Sequence, residues 1–412
     1  MNEFIESTTG KKLIYFNGLS KTLFFDVSQE PQSKDSITLE EKKYFQKCIK
    51  EVMLKRRRRP FRGQVVLEIT FNIPNKNPPS IHRLAKNYID LLVDDVQYKN
   101  RKVLLNDDRQ ISLLSVKCDY DLTKDHRISL KICSYAHFTH GVDLVDHLYF
   151  GDIEDADFSQ ENVDKFKERE ADEKRELSNR TENLIEGLEE LVVIKDVLEE
   201  KKRRYLQLLN KRMFQSAMLE QNSLDTYDVL SMFFNDLFKK RGLQTLKIPI
   251  LSPRFTLELP DVPQKEGDSK YFKKALNECL FSYKKNQKAM FPMLCPIGIT
   301  ILYCPPKKHD IDLDNLASKI VPLVHEIFKP NFAFWGFVSE SSMDSLELEK
   351  ICKNEKAKYK QAQKVSIRHY QVIKLSRDNA RDENGFVLML LENGELHQTV
   401  WEKIEIAVRK ML

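Results

Sequence analysis

The segment "KKHDIDLDNLASK" (307–319) sets Asp310, Asp312 and Asp314 at alternate positions directly after the apolar run "PIGITILYCPP". On an extended chain, side chains two residues apart project from the same face. Carboxylates that close hold each other's protons more tightly unless something positive neutralises them. A metal ion, a basic side chain or plain water could each fill that role. A second acidic pair, Asp107 and Asp108, opens "DDRQISLLSVK" (107–117). The run "KRRRRPFR" (55–62) gathers Lys55, Arg56, Arg57, Arg58, Arg59 and Arg62. Such a run could be a solvated face, but cationic neighbours repel one another and phosphate contact offsets that repulsion, which favours DNA as the partner. In "HFTHGVDLVDH" (137–147), His137, His140, Asp143 and Asp146 lie close enough for metal ligation, although histidines in what reads as a loop are ordinarily solvated.

The elements that carry these residues recur along the chain. "TLFFDVSQ" (22–29) corresponds to "FTLELPDVPQ" (255–264), and "KKYFQKCIKEVML" (42–54) to "SKYFKKALNECLF" (269–281). "VVLEITFNIPNK" (65–76) corresponds to "PIGITILYCPPK" (296–307), and "IHRLAKNYIDLL" (81–92) to "LDNLASKIVPLV" (313–324). Each copy then continues into a strand, "RQISLLSVKCDY" (109–120) and "KVSIRHYQVIKL" (364–375). The order strand, helix, β-branched strand, turn, helix, strand predicts an α+β fold built twice. Between the copies, residues 162–214 contain no proline and carry an apolar stripe through Leu184, Leu188, Leu191, Leu198, Tyr205 and Leu209. That pattern predicts a long charged helix or helical hairpin, either bridging the two copies or pairing with a second chain as a homodimer. The expected organisation is one lobe over 1–150, a helical linker or coiled-coil arm over 151–250, and a second lobe over 251–412.

Composition narrows the function. The chain has 412 residues, 41% hydrophobic and 31% charged, which fits a globular protein with a heavily charged surface. Residues 1–150 hold 25 Lys and Arg against 19 Asp and Glu, residues 151–250 hold 17 against 22, and residues 251–412 hold 25 against 21. Two basic ends flank an acidic middle, a distribution compatible with nucleic-acid binding by the ends. Seven scattered cysteines with no C-x-x-C pair read as reduced thiols in a cytoplasmic protein. No apolar run is long enough to cross a membrane, and no phosphate-loop or dinucleotide-binding glycine motif is present.

The string "DLDN" (312–315) at the end of a strand, opening a helix, resembles the first acidic motif of the RusA family of Holliday-junction resolvases. "NDDRQISLLSVK" (106–117) resembles that family's second acidic motif and the strand after it. The resemblance covers the cores of both copies, about half of the chain. It implies two RusA-like lobes, each a mixed sheet with flanking helices, joined by a charged helical segment. It also implies Mg²⁺ as cofactor and a four-way or otherwise branched DNA as substrate, contacted by two lobes in one chain where the family uses two subunits. Asp312, Asp314, Asp107 and Asp108 would be the metal ligands, with Asn315 beside them.

Neither copy is complete. The second keeps Asp312, Asp314 and Asn315, but Ser318 holds the family's lysine position and Lys319 follows one residue late, a rotation of about 100° on a helix. Pro322 is expected to kink that helix. No acid pair precedes strand 364–375, so a third ligand would have to come from Asp344 or Glu347. The first copy keeps Asp107, Asp108 and the family lysine, Lys86, but has Ser80, His82 and Arg83 where acids and Asn are expected. Each subunit of the family builds its own site, which makes Asp312, Asp314 and Lys319 the expected catalytic set, while Lys86 and the basic run contact DNA. The alternative is a composite site, with Asp107 and Asp108 of one copy completing Asp312 and Asp314 of the other. Three further readings stand beside cleavage: a pseudo-resolvase that binds DNA or protein without cutting, a scaffold that binds no nucleic acid, and acids that serve only as turn and helix caps.

Overall fold

The computed structural model describes residues 2–73, 78–98, 100–119, 125–150, 256–262, 269–286, 297–307, 310–328, 367–377, 383–394 and 398–411. The expected helical segment at 162–214, and with it the homodimer it could form, lies outside the described residues, as do Asp344 and Glu347. The described chain is a mixed α+β structure on one eight-stranded sheet.

Two short helices come first, Asn2–Glu6 (α1) and Thr8–Leu19 (α2). Then follow strand Leu23–Val27 (β1), helix Leu39–Lys55 (α3), strand Val65–Asn72 (β2), helix Ile81–Val93 (α4), strands Ile111–Asp119 (β3) and Arg127–Ser134 (β4), and helix Tyr135–Phe150 (α5). The later part repeats the order: strand Thr256–Leu259 (β5), helix Ser269–Asn286 (α6), strand Ile297–Cys304 (β6), helix Leu313–Ile327 (α7), strands Ile367–Lys374 (β7) and Phe386–Asn393 (β8), and helix Val400–Met411 (α8).

Local sequence sets several boundaries. The start of α3 is a capping box: Thr38 Oγ1 accepts from the Glu41 backbone N–H, and Glu41 Oε2 accepts from the Thr38 N–H at 2.8 Å. At its other end Arg57 adopts a left-handed backbone (φ 51°) while the Arg57 and Arg58 N–H groups close back onto Leu54 and Met53 carbonyls. Glycine normally takes that position because a side chain there costs energy. α7 runs through Pro322 rather than stopping at it. The segment 137–147, read as a loop from sequence, is helical and lies within α5. β4 lies outside the elements that the repeat predicts; its polar residues Arg127, Ser129 and Lys131 alternate with buried Ile128, Leu130 and Ile132.

The strand order is β1-β4-β2-β3-β7-β6-β8-β5. β2 pairs parallel with β3 and antiparallel with β4, and β6 pairs parallel with β7 and antiparallel with β8. β1–β4 and β5–β8 are the matching antiparallel outer pairs. The halves meet where β3 runs antiparallel to β7, centred on Ser115 opposite Gln371. The pairing pattern is therefore two-fold symmetric about the β3–β7 seam.

Helices α3, α4, α6 and α7 cover one face, burying Phe45, Ile49, Tyr88, Leu276, Leu316 and Ile320 in a core that crosses the seam without a break. Helices α2, α5 and α8 cover the other, around Tyr15, Phe138, Val142, Trp401 and Ile404. Burial on both faces is what the nearly continuous apolar run of β6 requires. α4 packs on α7 over the seam, and α5 packs on α8 beneath it. No helix among the described residues is long and apolar enough to cross a membrane.

Candidate metal centre and nucleic-acid interface

The α4–α7 contact brings the two acidic motifs to one place. Asp314 lies in the first turn of α7 and is 3% exposed. Its Oδ2 accepts from Lys86 Nζ of α4 at 2.6 Å. Its Oδ1 has no hydrogen-bond partner among the described residues. Lys86 Nζ also stands 3.8 Å from Asp90 Oδ1, one turn further along α4, while Asp90 Oδ2 pairs with Lys34 at 3.1 Å. Asp108, at the start of a 3-10 turn (Asp108–Gln110) that abuts α4, completes the group. Asp90, Asp108 and Asp314 each offer a carboxylate oxygen, and those atoms lie within 4.8 Å of one another.

The charges around the cluster are unbalanced. Burial first, then the negative charges of Asp314 and Asp312, push the Asp108 carboxyl up to about 6. Burial acts to lower the Lys86 ammonium, but its hydrogen bond to Asp314 and the charges of Asp314, Asp90 and Asp108 outweigh it, so the group is held above its ordinary value. Tyr370, fully buried on β7, is driven upward by burial and by the Asp314 charge. Lys86 thus pairs with Asp314 and Asp90, Lys34 reaches the outer oxygen of Asp90, and Asp108 makes no ion pair with Lys86 among the described residues.

The neighbouring residues divide into those that enter the cluster and those that frame it. Asp312 occupies the N-cap position of α7 but makes no side-chain cap. Its Oδ2 instead accepts from Asn315 Nδ2 at 2.9 Å, and its Oδ1 lies 3.3 Å from Arg109 Nε across the seam. Helix capping therefore does not account for Asp312 or Asp314. Asp107 is different: its Oδ1 caps the 3-10 turn through the Arg109 N–H at 2.9 Å, and that bond holds its carboxyl below the usual range. Asp107 shapes the turn that presents Asp108. Asp310 pairs with Lys374. Lys319 is partly buried on α7 and makes no ion pair with Asp312 or Asp314 among the described residues. Lys86, expected from sequence to contact DNA, donates to Asp314 Oδ2.

Asp90 carries no sequence signal. It sits inside an amphipathic helix, where an acid four residues after a lysine reads as an ordinary surface pair. Only the docking of α7 against α4 gives it its role.

Among the described residues, the two-fold related position holds no matching acidic cluster. One residue into α4, where α7 has Asp314, stands His82; burial and the positive charge of Arg83 push its imidazole down to about 4. Ser80 stands at the α4 N-cap, where α7 has Asp312.

The basic run leads into a loop that is held by the turn carrying Asp108. Arg56, Arg57, Arg58, Arg59 and Arg62 are exposed and have no carboxylate partner among the described residues, and Lys55 is exposed at the end of α3. Gln110, in the same turn as Asp108, anchors the loop that follows: its Nε2 donates to the Phe61 and Gly63 carbonyls at 3.0 and 2.9 Å. The Phe61 N–H closes the other side onto Leu104 O at 2.8 Å. The loop that follows the exposed guanidiniums is thereby tied to the turn that carries Asp108. Comparison with protein-family models, with characterised proteins and with solved structures finds no match to this chain.

Proposed function

We propose that the protein binds branched DNA as a RusA-like pseudo-dimer in a single chain and cuts it at one composite acidic centre. The observation that supports this reading is the convergence of Asp108 from the first copy with Asp314 from the second. The two motifs, each incomplete in its own copy, meet across the seam, with Asp90 as a third oxygen donor.

The residues present fit a hard divalent cation. The donors are all carboxylate oxygens, one buried oxygen of Asp314 has no partner among the described residues, and burial together with the charges of Asp314 and Asp312 raises the Asp108 carboxyl to about 6. Asp90, Asp108 and Asp314 would hold Mg²⁺, which when bound supplies Lewis-acid polarisation of a phosphodiester and an activated water. The chain's own groups do the rest. Arg109 and Asn315 hold Asp312 toward the cluster, and Asp107 fixes the turn that carries Asp108. Lys86 neutralises the acids without metal and, once displaced from Asp314, is placed to meet a phosphate oxygen. The guanidiniums of Arg56–Arg59 and Arg62 bind the DNA backbone alongside. Because the two-fold related corner carries Ser80 and His82, one nick per bound junction is expected, not a symmetric pair.

A second reading is favoured by one contact. Lys86 Nζ already pairs with Asp314 at 2.6 Å and stands 3.8 Å from Asp90, which is how a pseudo-resolvase that binds but does not cut would quieten an inherited site. Incubation of a labelled four-way junction with the protein, in Mg²⁺ or EDTA, separates the two. Nicking that needs Mg²⁺ and disappears in both Asp108→Asn and Asp314→Asn, with gel-shift binding retained, supports the composite centre. Binding without cutting supports the second reading. A loss in Asp314→Asn alone would mean that the copies do not share a site.

A further inference from the structure

The other side of the basic loop faces a cavity that the acidic centre does not use. It encloses about 470 Å³ between the end of α2, the loop Arg57–Phe61 and the start of α5. Its polar wall is cationic: Lys21, Arg57, Arg58 and Arg59 line it together with His137 and His140, and no carboxylate lines it among the described residues. His137 is 5% exposed, with its ring against Gly18 so closely that a Cβ there would stand 1.8 Å from Nδ1. His137 Nδ1 has no hydrogen-bond partner among the described residues. The remaining wall combines the polar Asn17 and Ser134 with the apolar Ile14, Pro60 and Phe61.

We propose that this cavity is a binding site for a nucleotide phosphate monoester. The phosphoryl group would lie against Arg58, Arg59 and His140, and the nucleoside against Phe61 and Pro60. Planar guanidiniums match phosphate oxygens two at a time, which an isolated ammonium cannot do. The left-handed backbone of Arg57 fits the same purpose. An arginine where glycine would be cheaper turns the chain at the end of α3 so that three consecutive guanidiniums reach the rim. Burial and the charges of His140, Lys131 and Lys21 hold the His137 imidazole down to about 4, so the cavity is short of negative charge, and a phosphate would reverse that. The volume exceeds what inorganic phosphate fills and falls within the range of small-ligand pockets. The ligand's source is either a free nucleotide or the phosphorylated end of a DNA strand. The inference does not depend on the acidic centre holding a metal.

The test uses the full chain in EDTA, which removes any contribution from the acids. Calorimetric titration with dAMP, deoxyadenosine and inorganic phosphate is compared with anisotropy of a short oligonucleotide carrying a 5′-phosphate or a 5′-hydroxyl. Either tighter binding of dAMP than of both fragments, or at least tenfold preference for the phosphorylated strand end, supports the site; the first marks a free nucleotide and the second a strand terminus. Arg58→Ala and Arg59→Ala change exposed residues and should each weaken that binding about tenfold. The His137 ring resonances, followed by NMR, should titrate at higher pH in the complex. Equal binding of 5′-phosphate and 5′-hydroxyl strands together with no dAMP binding, or affinity unchanged in both arginine variants, would overturn the proposal.

Discussion

Neutralising Asp108 should stabilise the metal-free protein, and the effect should depend on pH in one direction only. Burial first, and then the charges of Asp314 and Asp312, push the Asp108 carboxyl up to about 6 from the ordinary 3.8. A raised carboxyl means that the folded chain binds this proton more tightly than the unfolded chain. Stability therefore falls as pH rises from about 4 to about 6, and above that range the full penalty is present. Each pH unit of the gap is worth about 1.4 kcal/mol, which sets a ceiling of about 3 kcal/mol; partial solvent exposure reduces this to about 1–2 kcal/mol. Asp108→Asn removes the charge and keeps the shape. Urea unfolding in EDTA should show the variant more stable than the parent by about 1–2 kcal/mol at pH 7.5, with the difference vanishing near pH 4. Adding Mg²⁺ should stabilise the parent by mass action and close the gap, since the ion offsets the same repulsion. A variant less stable than the parent at pH 7.5, or a difference of equal size at pH 4, would refute the account of Asp108 as a crowded carboxylate.

Other expectations follow from the same arrangement. Lys86→Ala leaves Asp314 buried without its cation and should cost about 2–4 kcal/mol in urea unfolding; Lys86→Met with Asp314→Leu should recover most of that loss, giving a coupling above about 1 kcal/mol in a double-mutant cycle. Replacing Arg56–Arg59 with Gln should flatten the dependence of junction affinity on salt by roughly 0.9 in log–log slope for each phosphate that is no longer neutralised. Gln110→Ala removes the two bonds that fix the Phe61–Gly63 loop and should destabilise the fold by about 1–2 kcal/mol, while weakening DNA binding although Gln110 carries no charge. If cutting is observed, a junction labelled on all four strands should show one product strand for each binding event, and equal paired cuts would contradict the single-centre arrangement.

Much of the fold is legible in the sequence because the repeat is. The β-branched runs 65–76 and 296–307 predict β2 and β6, and the helices after them begin at Ile81 and Leu313, near the positions expected. What periodicity does not reveal is how the copies meet. The β3–β7 pairing joins backbone groups that carry no pattern of their own, and it is this pairing that sets α4 against α7. The site is legible to the same extent. Asp314 and Asp108 can be named from local motifs, but their proximity depends on the seam. Lys319, named for its position after Asn315, makes no ion pair with the acids among the described residues, and Lys86 from the other copy takes that place. Asp107 is indistinguishable from Asp108 in sequence, because the choice between capping the turn and facing the cluster is made by the turn's geometry.

The seam also sets the order of events during synthesis. β3 ends at Asp119 and its partner β7 begins at Ile367. At roughly 5–20 residues per second, a nascent chain must wait about 10–50 s between making the first and making the second. Throughout that interval the first half presents β3 as an open, apolar sheet edge, the kind of surface that recruits other strands. Folding in the cell should therefore depend on something shielding that edge, such as a chaperone. Expression of residues 1–150 alone should yield a sheet that associates through β3, since the surface that closes it belongs to the end of the same chain.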